Sequence, residues 1–166
     1  MDISSINEKS FGGARFWALL IDEFTNRTWS IFLKAKSDLK DKVIPWIRSI
    51  KRDHGVTIQI IRCDNAGENK ALQQAIDKTE DLRIKFEYTA PDTPEQNGVV
   101  ERKFQTLYGK VRSALNGARL PTELRSGLWA ECAETMTKLE NLLVDQGGNH
   151  ALMKGLMVLS QNSPKF

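Results

Sequence analysis

Three acids occupy places where chemistry is often found. Asp64 closes the apolar run VTIQIIRCD, Glu101 follows the polar stretch TAPDTPEQNG, and Asp2 lies in the opening run MDISSI. A carboxylate near a helix start has an ordinary explanation, because the exposed N–H groups there favour negative charge. A second explanation needs all three acids together. In an open α/β sheet, sites form where strands end and loops gather. Carboxylates crowded there repel one another and shift their pKa values, and a divalent cation relieves that repulsion. Mg²⁺ prefers carboxylate oxygens and keeps several waters, which leaves room for a phosphate. Two such ions about 4 Å apart can activate an attacking oxygen and stabilise a leaving one. A strand–strand–helix trio of acids therefore suits phosphodiester chemistry.

The elements that would position these acids read as alternating strands and helices. Residues 15–22 (RFWALLID) and 28–34 (TWSIFLK) are strand-like and flank the turn-like TNRT, so a hairpin is expected. Ahead of the turn signal FGG, MDISSI is expected to form a first strand, one cut short by the start of the chain. Leu39, Val43, Trp46, Ile47 and Ile50 recur at helical spacing, with Pro45 either kinking that helix or lying near its start. VTIQIIRCD returns to strand character, NAGEN is a loop, KALQQAIDK is helical and RIKFEY is a short strand. Residues 89–98 form a loop in which Gly98 gives flexibility before the next helix. Val100, Phe104, Leu107, Val111 and Leu115 make one apolar helical stripe; Trp129, Cys132, Ala133, Met136, Leu139 and Leu143 make a second. Both stripes read as core. The alternation implies an α/β sheet, with residues 1–145 as one domain and 146–166 as a tail without a clean period.

Bulk properties narrow the possibilities. The 166 residues suffice for one domain with a real core, and 40% hydrophobic with 27% charged residues is an ordinary soluble composition. A net charge of +3 does not announce a nucleic-acid binder, so that reading rests on local clusters. Cys63 and Cys132 cannot form a disulfide framework and read as reduced intracellular thiols, and no apolar run reaches membrane-spanning length. His54 and His150 are far apart and lack CxxC partners, so no structural zinc site is expected in this chain.

The neighbourhood of the acids sharpens the reading. FGGARFWALLIDEFTNRTWSIFLKAKSD, IRCDNAGEN, TAPDTPEQNGVVERKFQTL and LPTELRSGLWAECAETMTKLEN together resemble the catalytic core of copia-type retrotransposon integrases, within the retroviral integrase superfamily. The resemblance covers residues 2–143, and CDNAGEN followed by TPEQNGVVER is specific as a pair. The 36 residues between Asp64 and Glu101 fit the superfamily's D,D,35,E spacing. The implied fold is RNase H-like: a central mixed sheet flanked by helices. The implied activity is DNA integration by strand transfer, with a 3′-hydroxyl attacking target phosphodiester. The implied cofactor is Mg²⁺ or Mn²⁺. The implied partners are the element's DNA ends and target DNA, in a homo-oligomer located in the nucleus or cytoplasm.

Carried over by position, Asp64 and Glu101 match the second and third catalytic acids. The first belongs to the first strand of the family, which selects Asp2 over Asp22 in LLIDEF. Asn65, Gln96 and Asn97 could satisfy loop backbone, but amides beside a catalytic acid can also orient phosphate or base edges. Arg102, Lys103 and Lys110 could form a solvated helix face or contact phosphate. A His/Cys-rich zinc module and a basic C-terminal DNA-binding region, usual companions of such cores, do not occur in this sequence, and the match fades after about residue 141. The expectation is therefore the core of a longer polyprotein, with a truncated or inactive copy left open. A nuclease of the same fold would use the same metal site with water as nucleophile. A non-catalytic nucleic-acid-binding relic would lack metal-dependent activity. A two-carboxylate glycosidase would need aromatic residues near Glu101, where the loop offers only Tyr88.

Overall fold

The run FWALLI is buried on both of its faces, and the rest of the fold follows from that. The computed structural model describes residues 1–89, 94–146 and 157–159. Its elements are β1 (Asp2–Ser5), β2 (Phe16–Ile21), β3 (Thr28–Leu33), a 3₁₀ turn (Lys36–Asp38), α1 (Leu39–His54), β4 (Ile58–Cys63), α2 (Gly67–Asp77), β5 (Lys85–Tyr88), α3 (Pro94–Gly117), α4 (Thr122–Gly127), α5 (Trp129–Gln146) and β6 (Met157–Leu159). Successive side chains of a strand point to opposite faces. In β2, Ala18 and Leu20 enter one apolar cluster with Leu39, Val43, Ile47 and Ile50 of α1 and Leu72 and Ile76 of α2. Trp17, Leu19 and Ile21 enter the other, with Val100, Phe104, Leu107 and Val111 of α3 and Trp129 and Ala133 of α5. The result is an α/β arrangement with helices packed on both faces of β2, consistent with an RNase H-like fold.

Trp17 anchors the α3 side. Its indole packs edge-on against Phe104 at 5.5 Å and Tyr108 at 5.0 Å, and its Nε1 donates to Ser30 Oγ at 2.8 Å. The buried ring therefore keeps its polar tip satisfied.

The strands form two three-stranded ladders. β1, β2 and β3 are antiparallel neighbours, and β5 and β6 lie parallel to β4 on its two sides. The Met1 nitrogen joins the ladders by donating to Arg62 O at 2.8 Å. Cys63 O accepts from Thr89 N on the β5 side. Because carbonyls alternate along a strand, Arg62 O faces the opposite edge, which β6 occupies alongside Ile58–Ile61. β6 and the start of β1 thus follow one another along a single edge of β4. The tail, expected to lack a clean element, supplies this strand.

Other boundaries also differ from the sequence reading. α3 begins at Pro94, so Gly98 lies in the helix and not in a loop. Proline suits a first helical position, where its missing N–H would be unpaired anyway. α2 begins at Gly67, so Glu68 and Asn69 belong to its first turn. Pro45 lies inside α1, with no partner N–H for Asp41 O. The short helix α4 was not expected.

Candidate active site

Asp64 follows β4 directly and is held by the turn into α2. Its Oδ1 accepts from Ala66 N at 3.2 Å and from Asn69 Nδ2 at 2.6 Å, and its backbone oxygen also accepts from Asn69 Nδ2 at 3.3 Å. Both carboxylate bonds fall on Oδ1, so Oδ2 is the atom available to a further partner. Asp2 begins β1 opposite Leu19. Directly paired residues share a face, so Asp2 lies on the side that α3 covers. Its Oδ1 accepts from Ile3 N at 2.7 Å.

Lys36 ties the two acids into one electrostatic environment. Its ammonium bonds Glu68 Oε1 at 2.8 Å. Its pKa is raised, first by that bond and then by the charges of Glu68, Asp64 and Asp2, against some opposition from burial. Cys63, beside Asp64, is pushed up to about 12, chiefly by burial. Arg62 bridges Glu23 at 2.7 Å and Glu87 at 2.6 Å, and Lys85 adds a bond to Glu87 at 2.9 Å. Lys36 thus lies in the field of Glu68, Asp64 and Asp2, and Arg62 pairs with Glu23 and Glu87.

Glu101 is exposed and sits in the third turn of α3, not at its start. Seven residues further on, and so on nearly the same side of the helix and about 10 Å along it, Tyr108 donates to Ser4 Oγ at 2.8 Å. The Tyr108 hydroxyl is raised mainly by burial, with the charge of Asp2 adding to the effect. Arg102 and Lys103 flank a cleft with Ile21 and Asn26 at the end of β2, the end that pairs with the Asp2 side of β1. The early turns of α3 thus run towards the Asp2 end of the sheet. Among the described residues, no three His, Cys, Asp or Glu side chains stand close enough together to hold one metal ion. Asp2 and Asp64 share neighbours; Glu101 does not complete a ready-made trio with them.

Asp22 takes a different role. It is buried, and its Oδ2 accepts from Thr25 N at 3.1 Å and Thr25 Oγ1 at 2.5 Å, organising the β2–β3 turn. Lys103 and Lys110 both pair with Glu140 of α5, the first at 3.1 Å. Burial lowers the Lys103 pKa. Asn65 is exposed beside Asp64, and Arg102 is exposed beside Glu101. The side chains of Gln96 and Asn97 lie outside the described residues. Sequence reasoning missed Lys36, Glu68, Asn69 and Tyr108. Asn69 left a signal, since it shares a helical stripe with the buried Leu72 and Ile76.

A cavity of about 430 Å³ lies elsewhere. It is apolar, with Trp17, Val111, Leu115 and Trp129 in its walls, and none of Asp2, Asp64 or Glu101 lines it. No described helix is long and apolar enough to cross a membrane.

No protein-family profile matches the chain. It is 31% identical over 133 residues to the retrovirus-related Pol polyprotein from transposon TNT 1-94 of Nicotiana tabacum, a match covering 80% of this chain and 10% of that protein. It is 30% identical over 120 residues to the corresponding polyprotein from transposon RE2 of Arabidopsis thaliana, and 29% identical over 120 residues to that from RE1; each match covers 72% of this chain and 8% of the relative. The chain thus spans about a tenth of the length of the curated relatives it matches. Among solved structures, it resembles a chain of the simian T-cell lymphotropic virus intasome in complex with PP2A regulatory subunit B56 gamma. The TM-score is 0.56 with 18% identity, covering 78% of this chain and 45% of that one, a likeness of fold.

Proposed function

This chain belongs with the copia-type retrovirus-related Pol polyproteins, and we propose that it is an integrase-type core that carries out metal-dependent DNA strand transfer, with Asp2, Asp64 and Glu101 as its acids. The observation that supports the proposal is that β1 and β4 are linked by the Met1 N–Arg62 O bond, with Asp2 at the start of one and Asp64 just past the end of the other, both within the field of Lys36. The donor set suits Mg²⁺ or Mn²⁺. Each aspartate uses Oδ1 in the bonds described and keeps Oδ2 for a hard cation, which prefers oxygen. Such an ion, when bound, supplies neutralising charge and an activated attacking oxygen.

The chain's own residues position and balance. In this reading, β1 supplies Asp2 and the end of β4 supplies Asp64. Lys36 offsets their charge from one flank. Strand transfer requires Glu101 to meet that pair in the DNA complex, and catalytic contacts commonly tighten only there. Asn65 and Arg102, exposed next to two of the acids, are the proposed contacts to DNA phosphate. Lys103 and Lys110 pair with Glu140 of α5. DNA ends and target DNA are the proposed substrates, in a multimeric assembly.

The test is an oligonucleotide joining assay with a pre-cut element end, Mg²⁺ or Mn²⁺, and the unmutated chain beside Asp64→Asn and Glu101→Gln. Losing a metal-held charge worth several kcal/mol should slow joining by ~10²–10³-fold in each variant. DNA binding in EDTA should persist in both. Joining by either variant at the unmutated rate would refute the assignment. Metal-dependent cutting without joining would identify a nuclease instead.

A further inference from the structure

Asn69 is a polar side chain in an apolar row, 2% exposed on the stripe of α2 that also carries Leu72 and Ile76. Its Nδ2 donates to Asp64 at 2.6 Å, while its own Oδ1 is buried without a partner. A buried amide oxygen left unpaired is destabilising. A leucine would fill the same row without that defect, so packing alone does not explain the asparagine. Its bond to Asp64 does. The carboxylate settles which way the amide faces, since the opposite orientation would set acceptor against acceptor. Together with Ala66 N, Asn69 places two donors on Oδ1 and so fixes the rotation of the carboxylate, which turns Oδ2 to the remaining side.

We propose that Asn69 is a positioning residue that sets Asp64 for metal binding. The inference rests on the reading of Asp64 as a metal-holding acid. Groups that orient a ligand from behind change metal affinity by ~10–100-fold when removed.

The experiment measures Mn²⁺ affinity in the presence of an element-end oligonucleotide by the paramagnetic resonance of free Mn²⁺, with melting temperature in parallel, for the unmutated chain, Asn69→Leu, Asn69→Ser and Asp64→Asn. Asn69→Leu should melt at the same temperature or higher, because the stripe becomes uniformly apolar, yet bind Mn²⁺ ~10–100-fold more weakly. Asn69→Ser, too short to reach Asp64, should show the same loss of affinity and covers the case in which the leucine variant does not fold. Affinity within threefold of the unmutated chain in a folded Asn69 variant would overturn the inference and leave the proposed function standing. Equal Mn²⁺ binding by the unmutated chain and Asp64→Asn, or none by either, would overturn the metal role of Asp64 and this inference with it.

Discussion

Asp64 is fixed by its immediate neighbours. The strand before it is paired on both edges, and donors two and five residues later hold its carboxylate. Glu101 has no such local fixture. It rides a helix whose position depends on packing far along the chain: Phe104 and Tyr108 against Trp17, and Lys103 and Lys110 against Glu140 of α5. Two acids of one proposed site therefore depend on different parts of the molecule. A local hydrogen-bonded turn orients one, and the long-range fit of α3 delivers the other. Changes in the core should then affect the two ends unequally.

The largest effect is expected at Trp17. Replacing it with alanine removes the ring that Phe104, Tyr108, Phe32 and Trp129 all pack against. A loss of about 3–5 kcal/mol in urea unfolding is expected for a buried tryptophan. Amide exchange should then rise in α3 and α5 well before it rises in β4 and the first turn of α2. Equal loosening of both faces would break the contrast.

A smaller effect is expected at Glu140. Glu140→Gln leaves Lys103, 18% exposed, without its carboxylate, while Lys110 at 40% exposure can turn to water. Removing one partner from a fully buried pair costs about 3–5 kcal/mol; here about 1–2 kcal/mol is expected, because water screens half of the arrangement. Thermal unfolding measures the loss. If the two lysines act on α3 and not on DNA, Lys110→Ala should leave the salt slope of DNA binding unchanged. A slope reduced by about one unit would instead make Lys110 a phosphate contact.

The sequence made one half of this comparison easy to read and the other hard. Strand runs such as RFWALLID and the stripe from Val100 to Val111 carry their burial in their own periodicity, so the sheet and both helical layers could be anticipated. Asp64 could be placed because a strand signal stops at it. The limits of α2 and α3 could not be placed. NAGEN and PEQNG have the composition of loops, yet residues 67–69 of the first and all of the second lie in helices. Glu140 was invisible as the partner of Lys103 and Lys110 because nothing in a single chain pairs residues 30 or more apart without the fold. β6 was hidden for the same reason: three residues of tail acquire strand identity only from the edge of β4 they meet. Asn69 was legible in principle, as a polar residue at a core position of an otherwise apolar stripe.

The central claim is that Asp2, Asp64 and Glu101, which depend on different parts of the fold, converge on shared metal when DNA is present. Anomalous scattering from crystals of the DNA complex grown with Mn²⁺ tests it most directly. The expected result is a peak bound at about 2.1 Å by a carboxylate oxygen of Asp2 and of Asp64, with Glu101 coordinating that ion or a second one about 4 Å away. A peak held by Asp64 and Glu68 with Asp2 and Glu101 outside its coordination sphere would contradict the claim, as would Mn²⁺ bound elsewhere in the complex and none at Asp64.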